Sequence, residues 1–357
     1  MECGFIEVIQ KGNEFMINII SKSYYRKFQS GPKKVVDNLI KGLDKIGYPY
    51  VINKQLDACK RLWVHDDIAA LRLVAALPPE IKVVVGPNLV VMPRNLPQGF
   101  DLSRCIYLHP SNWAIRLWET HGFKNCPMHR WPVGIDTEEF HPSQKIKQYA
   151  LIYFKQRYER ELDAVLETLK KKNISYQLVV YGAYREKKYK EFLGESKYVI
   201  WLGRHDTQGI ALQEALATNT PMLIWDVQKL GEWNASEKEM SIFTPEEKAF
   251  EPVTSAEYFD QTCGLKIKNE NELDAAVNYM EQQWQTFTPQ KYILENLSLE
   301  KQAREFVEIY HTYFGLTFEE GLKEGVRANG NWVNRDFSHR VTFLAKDIVK
   351  TALQLLH

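Results

Sequence analysis

The stretch that decides the fold is Tyr198-Val-Ile-Trp-Leu-Gly-Arg-His-Asp-Thr-Gln-Gly-Ile-Ala-Leu-Gln-Glu-Ala-Leu-Ala-Thr-Asn-Thr-Pro-Met-Leu-Ile-Trp225. Residues 198–202 form a short apolar run of strand type, and 203–208 a polar turn. Residues 209–217 are helix formers with Ile210, Leu212 and Leu216 on an apolar stripe, which Asn219-Thr220-Pro221 stops. Residues 222–225 read as a second buried strand. In a strand–loop–helix–strand unit of this kind a ligand sits off the carboxyl end of the first strand. The loop there offers free N–H groups at a helix N-terminus, which suits a phosphate.

Two acidic residues bracket the turn, Asp206 before the helix and Glu214 on its second turn, with seven residues between them. One reading makes Asp206 an N-cap and Glu214 a solvated helix residue. The other has one carboxylate gripping sugar hydroxyls and the second a ribose diol, because carboxylate oxygens accept hydrogen bonds from vicinal hydroxyls. At these residues the chain resembles a known family. Gly209-Ile-Ala-Leu-Gln-Glu-Ala-Leu-Ala-x-x-Thr-Pro looks like the signature of the group 1 glycosyltransferases, the retaining family 4 of the GT-B fold. Members carry Glu-x7-Glu followed by Ala-x-Ala-x-Gly-x-Pro. Here Asp206 replaces the first Glu and Asn219 the usual Gly, with the spacing kept.

That resemblance implies an α/β protein of two Rossmann-like doubly wound domains facing a cleft, with a C-terminal helix crossing back to the N-terminal domain. The length of 357 residues accommodates two such cores. An apolar fraction of 45% against 25% charged excludes a disordered chain. A net charge of +1 gives no strong pull on nucleic acid or acidic membrane. The start Met1-Glu-Cys-Gly-Phe-Ile-Glu carries acids where a signal peptide carries bases, and no run has the length of a membrane span. Five cysteines, odd in number and without Cys-x-x-Cys, fit reduced thiols. The expectation is a cytoplasmic protein, peripheral to a membrane at most.

Residues 15–20 (Phe-Met-Ile-Asn-Ile-Ile) read as a first strand. Gly31-Pro32 opens a helix over 33–46 with Val35, Val36, Leu39, Ile40 and Leu43 on one face. Gly31 is a helix start, or, by the resemblance, the loop glycine beneath donor sugar and acceptor. His65 and His109 end the strands at 62–64 and 106–108; each is a structural histidine or a group facing the acceptor. Trp113, Trp118 and Trp131 are core residues or a stacking surface for an acceptor sugar. Cys105-x3-His109 and His121-x4-Cys126-x2-His129 lack the paired spacing of zinc sites, and there is no Asp-x-Asp, so no metal or other cofactor is expected.

Trp131-Pro-Val-Gly-Ile-Asp-Thr-Glu-Glu-Phe-His-Pro142 resembles the family's segment between domains, stiffened by its prolines and bent at Gly134. It implies an acceptor-side domain over 1–142, a nucleotide-sugar domain over 143–336 and a final amphipathic helix within 337–357. The second domain opens with a strand at 149–154, the turn Lys155-Gln-Arg157 and a helix over 158–172. Cations at that strand end suit a leaving diphosphate, and Lys155 and Arg157 stand loosely where the family has its Gly-Arg loop and lysine. A strand at 177–182, a charged helix at 184–197 and an aperiodic surface excursion over 226–251 follow, and residues 252–260 and 263–267 then resemble the family's strand pair near the sheet edge. Helices are expected at 270–284, 289–296 and 299–314, the last with Ala303, Phe306, Val307 and Tyr310 as its apolar stripe.

The resemblance implies a retaining, metal-independent glycosyltransferase of glycan biosynthesis. It would move a hexosyl or pentosyl group from a nucleoside diphosphate sugar to a glycan, lipid-linked or protein-linked hydroxyl. Asp206, Lys155 and Arg157 would serve the chemistry; Glu214, Gly209, Ile210, Ala211 and Gly31 would hold the donor; His65 and His109 would face the acceptor. Two other classes fit the same residues: a GT-B isomerase or phosphorolytic enzyme, and a non-catalytic nucleotide-sugar-binding protein.

Overall fold

The computed structural model describes residues 16–99 and 101–316. The helix expected within 337–357 lies outside them. Six strands make the first sheet: β1 (Ile17–Ile20), β2 (Tyr50–Ile52), β3 (Arg61–Val64), β4 (Lys82–Val85), β5 (Cys105–His109) and β6 (Met128–Arg130). They pair in the order β2-β1-β3-β4-β5-β6, all parallel. β1, β3 and β5 are buried at every residue, which is why they read as apolar runs without alternation. The helices with them are α1 (Gly31–Lys45), the short α2 (Ile68–Leu71) and α3 (Asn112–Thr120). Ser30 caps α1 by accepting the Lys33 N–H at 3.4 Å, Pro32 suits its first turn, and Val35, Val36, Leu39 and Leu43 face the core.

The second sheet has five strands: β7 (Tyr149–Lys155), β8 (Tyr176–Val180), β9 (Ser196–Gly203), β10 (Met222–Trp225) and β11 (Gly264–Ile267). Their order is β11-β10-β9-β7-β8, again all parallel. Alternate residues of β7 and β9 feed two cores. Leu151, Tyr153, Val199 and Trp201 join one, and Ala150, Ile152, Tyr198, Ile200 and Leu202 the other. Helices α4 (Glu159–Lys171), α5 (Glu186–Glu195) and α6 (Ile210–Ala217) connect β7 to β10. Then come α7 (Glu237–Met240), α8 (Pro245–Lys248), α9 (Leu273–Gln283), α10 (Pro289–Leu297) and α11 (Leu299–Phe314). None of the described helices is long and apolar enough to cross a membrane.

The chain divides at Gly134 and Ile135, not at 142 and 143, and the second unit ends at Ser298 instead of 336. Hydrogen bonds explain the first point. Asn38 on α1 donates to the Gly134 carbonyl at 2.8 Å, whereas Ile135 donates to Leu297 at 2.8 Å and bridges Ser298. Ile135 and Phe140 then enter the second unit's core. α11 belongs to the first unit because its side chains and backbone are used there. Tyr310 donates to the Leu62 carbonyl at 2.8 Å, and Trp131 donates to that of Gln302 at 2.9 Å. Two further expectations fail. No strand forms over 252–260, where side-chain bonds to Asp226 replace a ladder. The excursion over 226–251 is not all surface, since Trp233 and Phe243 are buried there against His205.

Candidate functional site

The order β8-β7-β9 reverses the winding of the second sheet between β7 and β9, and the carboxyl ends at such a switch point are where ligands bind in open α/β sheets. Lys155 and Gly203, the last residues of these two strands, are register partners. Lys155 turns its ammonium onto the next loop, where Nζ donates to both oxygens of Asp206 at 2.7 and 2.8 Å. Each side chain of this pair is 13% exposed. The Lys155 Nζ also lies 4.9 Å from the centre of the Tyr181 ring.

Gln156 follows in the left-handed region, φ 51°. That twist sends Lys155 and Arg157 in different directions. Arg157 is buried and makes four hydrogen bonds: two to Glu161 at 2.8 and 2.6 Å, one to the Gly203 carbonyl at 3.1 Å and one to that of Trp225 at 2.7 Å. It ties the carboxyl ends of β9 and β10 to α4. This corrects the expectation that Arg157 faces a diphosphate; its fork is spent on the scaffold.

The loop from Gly203 to Gly209 is fixed at several points. A Cβ at Gly203 would overlap the indole nitrogen of Trp201, whose ring stacks on Tyr153 with centroids 4.1 Å apart. Gln208 and Gln213 bond each other reciprocally at 3.0 and 2.9 Å. The Asp206 N–H donates to the Thr254 carbonyl at 3.2 Å. Asp226, just past β10, holds that segment by accepting from Thr254 Oγ1 at 2.6 Å and from the Ser255 N–H at 2.7 Å. Asp226, Thr254 and the aromatic floor of Tyr153, Tyr189 and Trp201 escape a reading of the sequence; a polar residue just past a strand end was the one available signal for Asp226.

Gly209, at φ 78°, is the N-cap of α6, and no side chain caps that helix. Asp206 is therefore not the cap. Only a left-handed residue can turn the chain into the helix here, which explains the glycine. The first amides of α6, starting at Ile210 and Ala211, have no partner within the helix and carry the positive end of its dipole. Glu214 lies one turn further in and is 3% exposed, so it is no solvated helix residue. Arg204 sits beside His205 at 3.2 Å and over the face of Trp233 at 5.0 Å. Burial, with Arg204 and Lys155 adding to it, pushes His205 well below the usual histidine range, so its ring is neutral.

In the first unit the expected acceptor residues are inside. His65 is 0% exposed, with Nδ1 at 3.3 Å from Ser21 Oγ and Nε2 at 2.8 Å from Asn88 Oδ1. His109 is buried between Tyr107 and Trp118. Trp113, Trp118 and Trp131 are buried as well, which assigns all three to packing. Gly31 begins α1 in open space, so no close approach demands a glycine there. Cys59, Cys105, Cys126 and Cys263 are free thiols.

No protein-family model matches the sequence, and no curated protein matches it either. Solved structures do. A sucrose-phosphate synthase from Thermosynechococcus elongatus is 9% identical with a TM-score of 0.56, covering 85% of this chain and 100% of its own. An E. coli structure described as trehalose-6-phosphate bound with UDP-2-fluoro glucose is 9% identical with a TM-score of 0.50, covering 82% of this chain and 98% of its own. At that identity the likeness speaks to fold. The chain has the GT-B fold: two parallel sheets, each interleaved with helices.

Proposed function

We propose that the protein transfers a glycosyl group from a nucleoside diphosphate sugar to a hydroxyl acceptor, with retention and without a metal ion. The observation that carries this reading is the uncapped amide end of α6 at the β7–β9 switch point, beside Lys155 and Asp206. The diphosphate lies against the amides at Gly209, Ile210 and Ala211, where the helix dipole and Lys155 oppose its charge. Asp206 accepts from sugar hydroxyls and Glu214 from the ribose. That one like-folded structure holds UDP-2-fluoro glucose supports a nucleotide-sugar donor.

In the transfer, the bond from the anomeric carbon to the phosphate oxygen breaks, and its electron pair leaves with the diphosphate. The acceptor oxygen bonds to the same face of that carbon, and its proton passes to the departing phosphate oxygen. Stabilising the charge that grows on the leaving group is the main task. A second reading, nucleotide-sugar binding without transfer, is favoured by the loss of Arg157 to the scaffold.

A thermal-shift panel of UDP, GDP, ADP and their sugars tests the first reading. One nucleotide is expected to raise the melting temperature, since a ligand of the folded form stabilises it. Glu214→Gln is expected to weaken that nucleotide by about tenfold, the worth of one charge-assisted hydrogen bond. Release of nucleoside diphosphate that depends on added glycan acceptors separates transfer from binding. A panel in which no nucleotide shifts the melt overturns both readings.

A further inference from the structure

The Lys155–Asp206 pair joins the two groups that the proposed site needs apart. Both oxygens of Asp206 are taken by one ammonium, at 2.7 and 2.8 Å, and neither side chain is well hydrated at 13% exposure. An ammonium has three N–H donors. Two point at Asp206, so Lys155 can meet a diphosphate with more than one donor only by releasing a carboxylate oxygen. We propose that this pair makes the site select an intact nucleoside diphosphate sugar over the spent nucleoside diphosphate. The proposal rests on the nucleotide-sugar reading above.

The argument is one of compensation. A nucleoside diphosphate draws Lys155 away and adds negative charge beside a half-released, poorly hydrated carboxylate. Leaving such a carboxylate without its partner is strongly unfavourable. Among the described residues no other side chain donates to Asp206. Arg157 is held by Glu161 and two carbonyls, Arg204 is turned to His205 and Trp233, and His205 is neutral. A sugar attached to the diphosphate changes the balance, because its hydroxyls donate to the oxygens that Lys155 gives up. The donor thereby brings its own replacement for the ion pair, and the product does not. Discrimination against product is built from the last residue of β7 and one residue of the loop that follows β9.

Calorimetric titration of the full chain reads this directly, with UDP and UDP-glucose, GDP and GDP-mannose, and ADP and ADP-glucose as probes. The nucleoside diphosphate that binds the wild type is then titrated into Asp206→Asn, with the melting temperature of the variant recorded. Removing the carboxylate frees Lys155, so the variant is expected to bind that nucleoside diphosphate about tenfold more tightly, the reverse of what losing a polar contact does. Unchanged or weaker binding in the variant overturns the selectivity while leaving the nucleotide-sugar reading intact; no binding of any probe to the wild type removes both. A wild-type crystal soaked with the same nucleoside diphosphate decides the matter if the variant does not fold. Lys155 Nζ on a phosphate oxygen and away from Asp206 supports the proposal, and an intact ion pair beside bound nucleotide overturns it.

Discussion

Arg157 lies two positions from Lys155 and does the opposite kind of work. Its planar fork meets Glu161 with two bonds, while its remaining bonded nitrogen reaches the carbonyls that end β9 and β10. Lysine in its place keeps the charge and loses the fork, so at most one or two of those acceptors stay paired. Arg157→Lys is expected to lower stability by about 2 kcal/mol, the effect of stranding buried acceptors. Urea denaturation measures that, and titration of the bound nucleotide measures the site. Nucleotide affinity is expected to hold, because Lys155, Asp206 and the α6 amides are untouched. A large fall in affinity with little change in stability would return Arg157 to the binding role that its sequence position implied. Nothing in Lys155-Gln-Arg157 tells the two cations apart; the left-handed Gln156 does, and a backbone angle is not written in residue type.

At the level of elements, what was legible follows from periodicity and punctuation. The strand at Tyr198, the helix after Gly209 and the stop at Pro221 came from apolar runs and breakers, and both α1 and α11 from stripes at helical spacing. The destination of α11 was not legible. Its stripe of Ala303, Phe306, Val307 and Tyr310 says that one face is buried, and any core of the right shape accepts such a face. The decision lies in Gly42, a glycine inside α1 where helix propensity disfavours it. A Cβ there would stand 2.6 Å from the Leu299 carbonyl oxygen and 2.9 Å from Ala303 Cβ. Gly42→Ala therefore raises helix propensity and yet is expected to destabilise by about 1–3 kcal/mol through overpacking. Thermal or denaturant melts check the sign. A stabilised variant would mean that α1 and α11 are not in contact at this point.

At the scale of the whole molecule, the buried titratable groups set how the fold answers to acid. His109 has its Nε2 buried without a hydrogen-bond partner among the described residues, and burial pushes it down from its ordinary 6.5 to about 3. Below pH 6.5 the unfolded chain takes up a proton that the folded chain refuses, so stability is full above that pH and falls as pH drops toward 3. His205 in the second unit, also pushed down by burial, acts in the same direction. Asp66 adds a lower window. Burial raises its carboxyl, but the charge and hydrogen bond of His65, the side chain of Ser23 and the N–H of Lys22 outweigh that and hold it at about 2, so its contribution is lost only between 3.8 and about 2. His109→Phe keeps a ring between Tyr107 and Trp118 and removes both the proton site and the unpartnered nitrogen. At pH 7 the variant is expected to match or exceed the wild type, since an unsatisfied buried polar atom is replaced by an apolar one. Below pH 6 its unfolding free energy, measured by urea denaturation, should fall less steeply, by up to about 1.4 kcal/mol for each pH unit, the worth of one titrating proton. Parallel curves for the two proteins across that range would mean that His109 takes up its proton in the folded state and that its pocket is wetter than its neighbours imply.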